Sequence, residues 1–237
     1  MCAEREIPIY LDSCVVGLER RKGGFSLRAV NGTEGIMTVE AKAVVFAGGC
    51  RERTAKHIFL HGTRPAGVIT AGLAQYFINI MGYLPGKRCV ILGSGDIGLI
   101  MARRLVLEGA EVAGVYEILP EPSGLTRNIV QCLEDYNIGL YLRHTVTRVH
   151  GTRRVEAVTV CSVDGEGNPV KGTEERIPCD TLILSVGLIP ENDLLKPLDL
   201  PLSPSTAGPE VDQTGVTEIP GLFSCGHALQ VNDMVDY

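Results

Sequence analysis

The stretch Arg88-Cys89-Val90-Ile91-Leu92-Gly93-Ser94-Gly95-Asp96-Ile97-Gly98-Leu99-Ile100 decides the fold. An apolar run enters a G-x-G-x-x-G turn and a helical pattern leaves it, which is the dinucleotide-binding arrangement. Gly93 permits the tight turn. Gly95 lets the backbone approach a pyrophosphate, and Gly98 allows close helix–strand packing. The unpaired N–H groups and positive dipole end of the helix complete an anion cradle. Ser94, Asp96 and Ile97 fill the turn and join the candidate cofactor-binding residues.

Working outward, Ile97, Ile100, Met101, Leu105 and Glu108 recur at helical spacing, with Arg103 and Arg104 as the wetted positions and Gly109 as a stop. A second strand follows over 111–117. It ends in Glu117, about two dozen residues after Gly93, near the roughly 20-residue spacing of a ribose-binding acid. A carboxylate there accepts hydrogen bonds from the ribose hydroxyls and repels a 2′-phosphate, so NAD(H) is favoured over NADP(H). The bland alternative is any βαβ crossover with a glycine turn and a surface Glu117.

The chain of 237 residues has room for one large domain or two modest ones. Its formal net charge of −6 supplies no basic field for nucleic acid. No apolar run reaches transmembrane length, and no signal-peptide core opens the sequence. Eight cysteines occur without a C-x-x-C pair, which points to reduced thiols and a cytoplasmic setting. The five histidines are scattered, and no metal site is expected. No residue is singled out as catalytic.

Before the turn, residues 1–6 are polar and expected to be loose, and 7–11 and 14–18 suggest extended chain. Residues 25–30 and 35–41 then alternate around Asn31-Gly32 as an antiparallel meander. Residues 43–47 read as a buried strand ending at Gly48 and Gly49, where a ligand or another backbone approaches. Residues 72–80 have a helical face, and the Pro85-Gly86 breaker sets an internal boundary near 83. After Glu117, Thr126 is a candidate helix cap, and 138–142 reads as a third parallel strand. Residues 145–149, 155–161 and 175–178 read as short antiparallel strands, and 181–186 as a buried return strand ending at Gly187. The last apolar strand, 222–225, leads to Gly226 and His227, and 228–237 reads as the start of a helix. Cys225 and His227 are candidate flavin neighbours; a packed thiol and a loop histidine fit those positions equally.

Taken together, Val45-Phe46-Ala47-Gly48-Gly49-Cys50-Arg51-Glu52-Arg53, Gly62-Thr63-Arg64-Pro65-Ala66-Gly67-Val68, the 93–98 turn, Leu184-Ser185-Val186-Gly187-Leu188-Ile189-Pro190 and Ile219-Pro220-Gly221-Leu222-Phe223-Ser224-Cys225-Gly226-His227 are similar to the FAD/NAD-linked pyridine nucleotide-disulfide oxidoreductase superfamily. Within it they resemble the non-disulfide branch related to the alpha subunits of sarcosine oxidase and hydrogen cyanide synthase. The resemblance implies a Rossmann-like, three-layer α/β NAD-binding domain with an antiparallel meander, residues 84–186. That domain is inserted into an incomplete, discontinuous FAD-binding domain, residues 1–83 and 187–237.

The resemblance further implies hydride transfer between nicotinamide and FAD, with an unidentified second substrate. A redox partner subunit or a homo-oligomer would complete the assembly. Gly48 and Gly49 would approach the FAD adenosine side, Gly226 and His227 the flavin side, and Gly187 the nicotinamide. The family's first strand–glycine-turn–helix is not found before residue 43, so the chain reads as truncated at both ends, with FAD affinity poor or absent. On that view the alternatives are a non-catalytic nucleotide-binding or assembly module and an inactive fragment. Ile100 stands where disulfide reductases often carry Glu, and with the missing C-x-x-C this argues against dithiol chemistry.

Overall fold

In the computed structural model, residues 7–232 are described. The expectations for 1–6 and 233–237 lie outside them. By its internal contacts the chain divides into two compact units: unit 1, residues 1–51 and 189–237, and unit 2, residues 52–188.

Unit 1 opens with the antiparallel meander of β1 (Ser13–Arg21), β2 (Gly24–Asn31) and β3 (Gly35–Ala41). Residues 7–10 precede it without regular structure. The β2–β3 turn is held by Asn31, whose Oδ1 accepts from the Thr33 and Glu34 amides at 2.9 Å each, the local bonding that makes Asn a turn former. β4 (Val44–Phe46) is less enclosed than its apolar composition suggests, with Val45 66% exposed. It pairs in parallel with β16 (Leu222–Ser224). Leu18, Phe25, Phe46, Leu195, Ile219 and Leu222 form the core of this unit. The turn at Gly226–Ala228 is a short 3₁₀ segment, and the described residues of unit 1 contain no α-helix.

The intervening strands, in chain order, are β5 (Cys50–Glu52), β6 (His61–Gly62), β7 (Val68–Thr70), β8 (Arg88–Leu92), β9 (Glu111–Glu117), β10 (Leu140–Leu142), β11 (His144–His150), β12 (Ala157–Ser162), β13 (Glu175–Pro178), β14 (Thr181–Leu184) and β15 (Leu188–Pro190). The helices are α1 (Ala71–Asn79), α2 (Asp96–Leu107) and α3 (Thr126–Cys132).

Unit 2 is a three-layer Rossmann-type structure. Its central sheet runs β10-β9-β8-β14-β7, all parallel. β8 and β14 lie inside it, and their near-continuous apolar sequences follow from burial on both faces. Side-chain alternation then assigns the layers. Cys89, Ile91, Val115 and Ile183 pack on the helices through Ala74, Ile78, Leu99, Ala102 and Leu105. Val90, Leu92, Tyr116, Leu182 and Leu184 pack the other way, on Val146, Val149, Val158 and Val160 of a second sheet. That second sheet has the order β13-β12-β11-β6.

Residues 52–83, grouped from sequence with the first segment, make their contacts in unit 2. β7 joins the sheet edge beside β14, and Ala71, Ala74 and Ile78 of α1 enter the helical core. Thr70 caps α1 through Leu73 N–H at 3.4 Å, and Glu52 Oε1 accepts the next free amide, Gly72 N–H, at 2.7 Å. The Asp180 carboxylate fixes the start of β8 by accepting from the Lys87 and Arg88 amides at 2.9–3.2 Å.

Candidate nucleotide site

The turn at 93–98 leaves β8 and enters α2, with Gly95 as the N-cap residue. The three glycines have different reasons to be glycine. Gly93 has φ +99°, and a Cβ there would collide with the Ser185 carbonyl. A Cβ on Gly98 would lie 2.8 Å from both Ser185 Cβ and Oγ and 2.9 Å from Gly93 O. Ser185, just past the end of β14, is therefore the residue the turn is wrapped around. Gly95 is open: only Ser185 Oγ comes within 4 Å of its Cβ position, at 3.7 Å. The backbone is bare where a pyrophosphate would need to approach.

Glu117 ends β9 and is almost fully buried at 4% exposure, not a surface residue. Its Oε2 accepts from Ser94 N–H at 2.8 Å and Ser94 Oγ–H at 2.5 Å, and its Oε1 accepts from Leu119 N–H at 3.0 Å. Ser123 N–H donates to Ser94 Oγ at 3.0 Å. A carboxylate has about four acceptor positions, so Oε1, with one donor, retains capacity for a hydroxyl. Gly124 closes this loop against the turn; a Cβ there would meet Leu99 Cδ1 at 2.6 Å and Ser94 O at 2.7 Å. The residues present thus fit a dinucleotide: an open Gly95, a helix N-terminus and an acid at the end of the second strand.

The remaining candidates sort themselves by position. Asp96 Oδ1 accepts from Leu125 N–H at 2.8 Å and Asn128 Nδ2 at 2.7 Å, so this side chain secures the start of α3. The N-cap of α3 is Leu125, and the expected cap Thr126 is its first helical residue, without a side-chain cap bond. On α2, Gly98, Leu99, Met101, Ala102 and Leu105 face the core, while Ile97 and Ile100 are 41% and 45% exposed. Met101 and Leu105 face inward as the sequence leads one to expect, but Gly98 and Leu99, not Ile97 and Ile100, complete that face. Gly187, with φ +96°, follows Ser185 by two residues, and its carbonyl accepts Arg53 N–H at 3.0 Å.

In unit 1, Gly48, Gly49, Gly226 and His227 follow the same ends of the parallel pair β4–β16. Gly48 is required by packing, since a Cβ would meet the Phe46 ring at 2.7 Å. Gly49 and Gly226 have φ +72° and +65° and nothing within 4 Å of a Cβ position. His227 Nε2 lies 3.0 Å from Asn232 O. Ser224 Oγ is buried without a hydrogen-bond partner among the described residues. These features fit the close approach of a flavin chain. A helix N-terminus to hold its pyrophosphate is not among the described residues of this unit.

Residues 3–234 match the family described as Pyridine nucleotide-disulphide oxidoreductase. The chain belongs to that family. It is a family of FAD- and NAD-dependent oxidoreductases. Over 214 residues the chain is 29% identical to the hydrogen cyanide synthase component HcnB of Pseudomonas protegens, covering 83% of this chain and 44% of the relative. Over 164 residues it is 29% identical to an opine oxidase subunit from Agrobacterium tumefaciens, covering 66% and 32%. The chain therefore spans less than half the length of these two relatives. A solved FAD-dependent pyridine nucleotide-disulphide oxidoreductase from Desulfovibrio vulgaris superposes with a TM-score of 0.69 at 21% identity, covering 92% of this chain and 53% of that one. The likeness establishes a two-domain Rossmann-type fold. No disulfide joins the described cysteines, and no described helix is long and apolar enough to cross a membrane.

Proposed function

We propose that the chain is the NAD(H)-binding portion of a flavin-dependent oxidoreductase, carrying hydride between nicotinamide and FAD for an unidentified second substrate. The observation that carries this reading is the open Gly95 at the head of α2, beside the Ser94–Glu117 pair. Gly95 and the free amides of the α2 N-terminus would hold the pyrophosphate. Glu117 would take the ribose hydroxyls on Oε1 and select NAD(H) by repelling a 2′-phosphate. Ile97, exposed in the first turn of α2, would offer apolar contact to the bound dinucleotide. FAD, when bound, supplies the hydride acceptor for nicotinamide C4.

Within the family we assign the chain to the non-disulfide branch, from the absence of C-x-x-C and the similarity to HcnB. A partner subunit, or a second copy of the chain, would provide the rest of the redox path, as the names of both relatives, each one component of a larger enzyme, suggest. A second reading, a nucleotide-binding or assembly module without turnover, is favoured by the absence of an α-helix from the described residues of unit 1.

Anaerobic NADH titration with and without added FAD separates the two. The oxidoreductase reading expects saturable NADH binding and bleaching of bound FAD. Saturable NADH binding without FAD uptake leaves the module. No NADH binding removes both.

A further inference from the structure

The second sheet of unit 2 carries a row of side chains that the nucleotide site does not use. His61 of β6 sits opposite Arg148 of β11, Arg148 opposite Thr159 of β12, and Thr159 opposite Arg176 of β13. Residues paired directly across strands project to the same face. Four strands therefore align an imidazole, two guanidinium groups and a hydroxyl. His150, two residues along β11, shares that face, and its Nε2 lies 2.7 Å from Thr159 Oγ1. His61, Arg148, His150 and Arg176 line an open cleft of about 530 Å³, within the size range of small-ligand sites. Glu156 is the one carboxylate in its lining.

Some arginines of this chain are neutralised by a carboxylate among the described residues, and these two are not. Arg21, Arg28, Arg51, Arg88 and Arg104 each pair with a carboxylate. Arg148 and Arg176 make no ion pair or side-chain hydrogen bond among the described residues. They stand two strands apart, roughly 10 Å at the backbone, so long side chains can converge on one guest in the cleft that both line. In a chain of net charge −6, two unpaired guanidinium groups in one concavity form a local positive field. Their planar donor forks suit oxyanions of phosphate or carboxylate geometry. The 2.7 Å contact between His150 Nε2 and Thr159 Oγ1 fixes the imidazole in the lining beside the two arginines.

We propose that this cleft is a second, independent anion site, built for a compact multivalent oxyanion such as a phosphate or diphosphate group. It does not depend on the nucleotide assignment of the 93–98 turn. The test is calorimetric titration of the full chain with inorganic pyrophosphate in the presence of saturating NADH, repeated on R148Q/R176Q. The expected result is saturable binding to the wild type and at least tenfold weaker binding to the double variant. The melting temperature and NADH affinity should be unchanged. Glu156→Gln, which removes the opposing charge, tightens pyrophosphate binding at least twofold and reads the same site should R148Q/R176Q fold poorly. No saturable pyrophosphate binding by the wild type, an R148Q/R176Q isotherm matching the wild type, or an unaltered affinity in E156Q overturns the proposal. If NADH itself does not bind, the nucleotide reading falls, while a pyrophosphate isotherm sensitive to R148Q/R176Q still stands.

Discussion

The Glu117 carboxylate takes both donors of Ser94: Oε2 lies 2.8 Å from the Ser94 amide and 2.5 Å from its hydroxyl. With Leu119 N–H on Oε1, the end of β9 is tied to the glycine turn before any ligand arrives. Glu117→Gln leaves the shape but turns an amide group against these donors. Leaving a buried donor unmatched costs about 1–3 kcal/mol. Urea unfolding of E117Q is expected to show that loss, with NADH binding also weakened. Ser94→Ala, which removes one hydroxyl and keeps the amide bond, should lose about 1 kcal/mol.

The glycines of the turn should separate by substitution. Gly93→Ala places a Cβ against the Ser185 carbonyl at a positive φ and is expected to destabilise by more than about 3 kcal/mol, or to prevent folding. Gly95→Ala has an allowed φ of −62° and no clash, so its melting temperature should stay within a few degrees of wild type. Its NADH affinity should fall at least tenfold as the Cβ enters the phosphate path. Thermal melts and NADH titrations on the pair check this. Equal NADH affinity for G95A and wild type would remove the pyrophosphate assignment.

Gly98→Ala should be partly repaired by a second change. Its Cβ would meet Ser185 Cβ and Oγ at 2.8 Å, and Ser185→Gly deletes both atoms. The Gly93 carbonyl at 2.9 Å remains, so the rescue is incomplete. A double-mutant cycle by chemical denaturation should give a favourable coupling of about 0.5–3 kcal/mol. Strict additivity would mean that Ser185 does not set the spacing.

Two interior thiols should shape alkaline stability. Burial, reinforced by Asp180, pushes Cys89 up to about 12 and Cys179 up to about 11, from an ordinary 9.0. Between pH 9 and 11 the unfolded chain sheds thiol protons that the folded chain keeps, so unfolding gains ground as pH rises. Below pH 9 these thiols contribute no slope. Urea unfolding at pH 8 and pH 10.5 should show a smaller alkaline loss in C89A/C179A than in wild type. In native protein at pH 8, a thiol reagent should label exposed Cys14 and Cys225 and spare buried Cys89 and Cys179.

Much of unit 2 is readable in the sequence because β8 and β14 must be apolar on both faces, and a glycine turn after such a strand has few other uses. The chain alone does not assign residues 52–83 to their partners. Helical spacing reveals α1, but β7 is completed by β14, far along the sequence. The same separation hides Ser185, whose Cβ explains Gly98 and whose carbonyl explains Gly93. Period fixes a helix over α2 but not its rotation, which depends on a glycine packing inward as well as on apolar side chains. Composition alone makes Val45 a buried residue, yet the parallel pair β4–β16 leaves it open to solvent. Cross-strand register alone reveals the His61–Arg148–Thr159–Arg176 row, since no linear motif joins these four residues.

The packing of Ser185 on the turn also bears on the order in which the chain acquires its shape. Gly93 and Gly98 are synthesised before the strand that ends just before Ser185, which lies more than eighty residues further along the chain. Contacts between such distant segments must overcome loop-closure entropy before they reward it, and they form slowly. Until β14 takes its place between β8 and β7, the nascent turn lacks the Ser185 contacts that shape it. A ribosome stalled before Thr181 would display the whole glycine motif without the strand that shapes it. The motif's packing is completed at the end of the unit's synthesis, not when the motif itself appears.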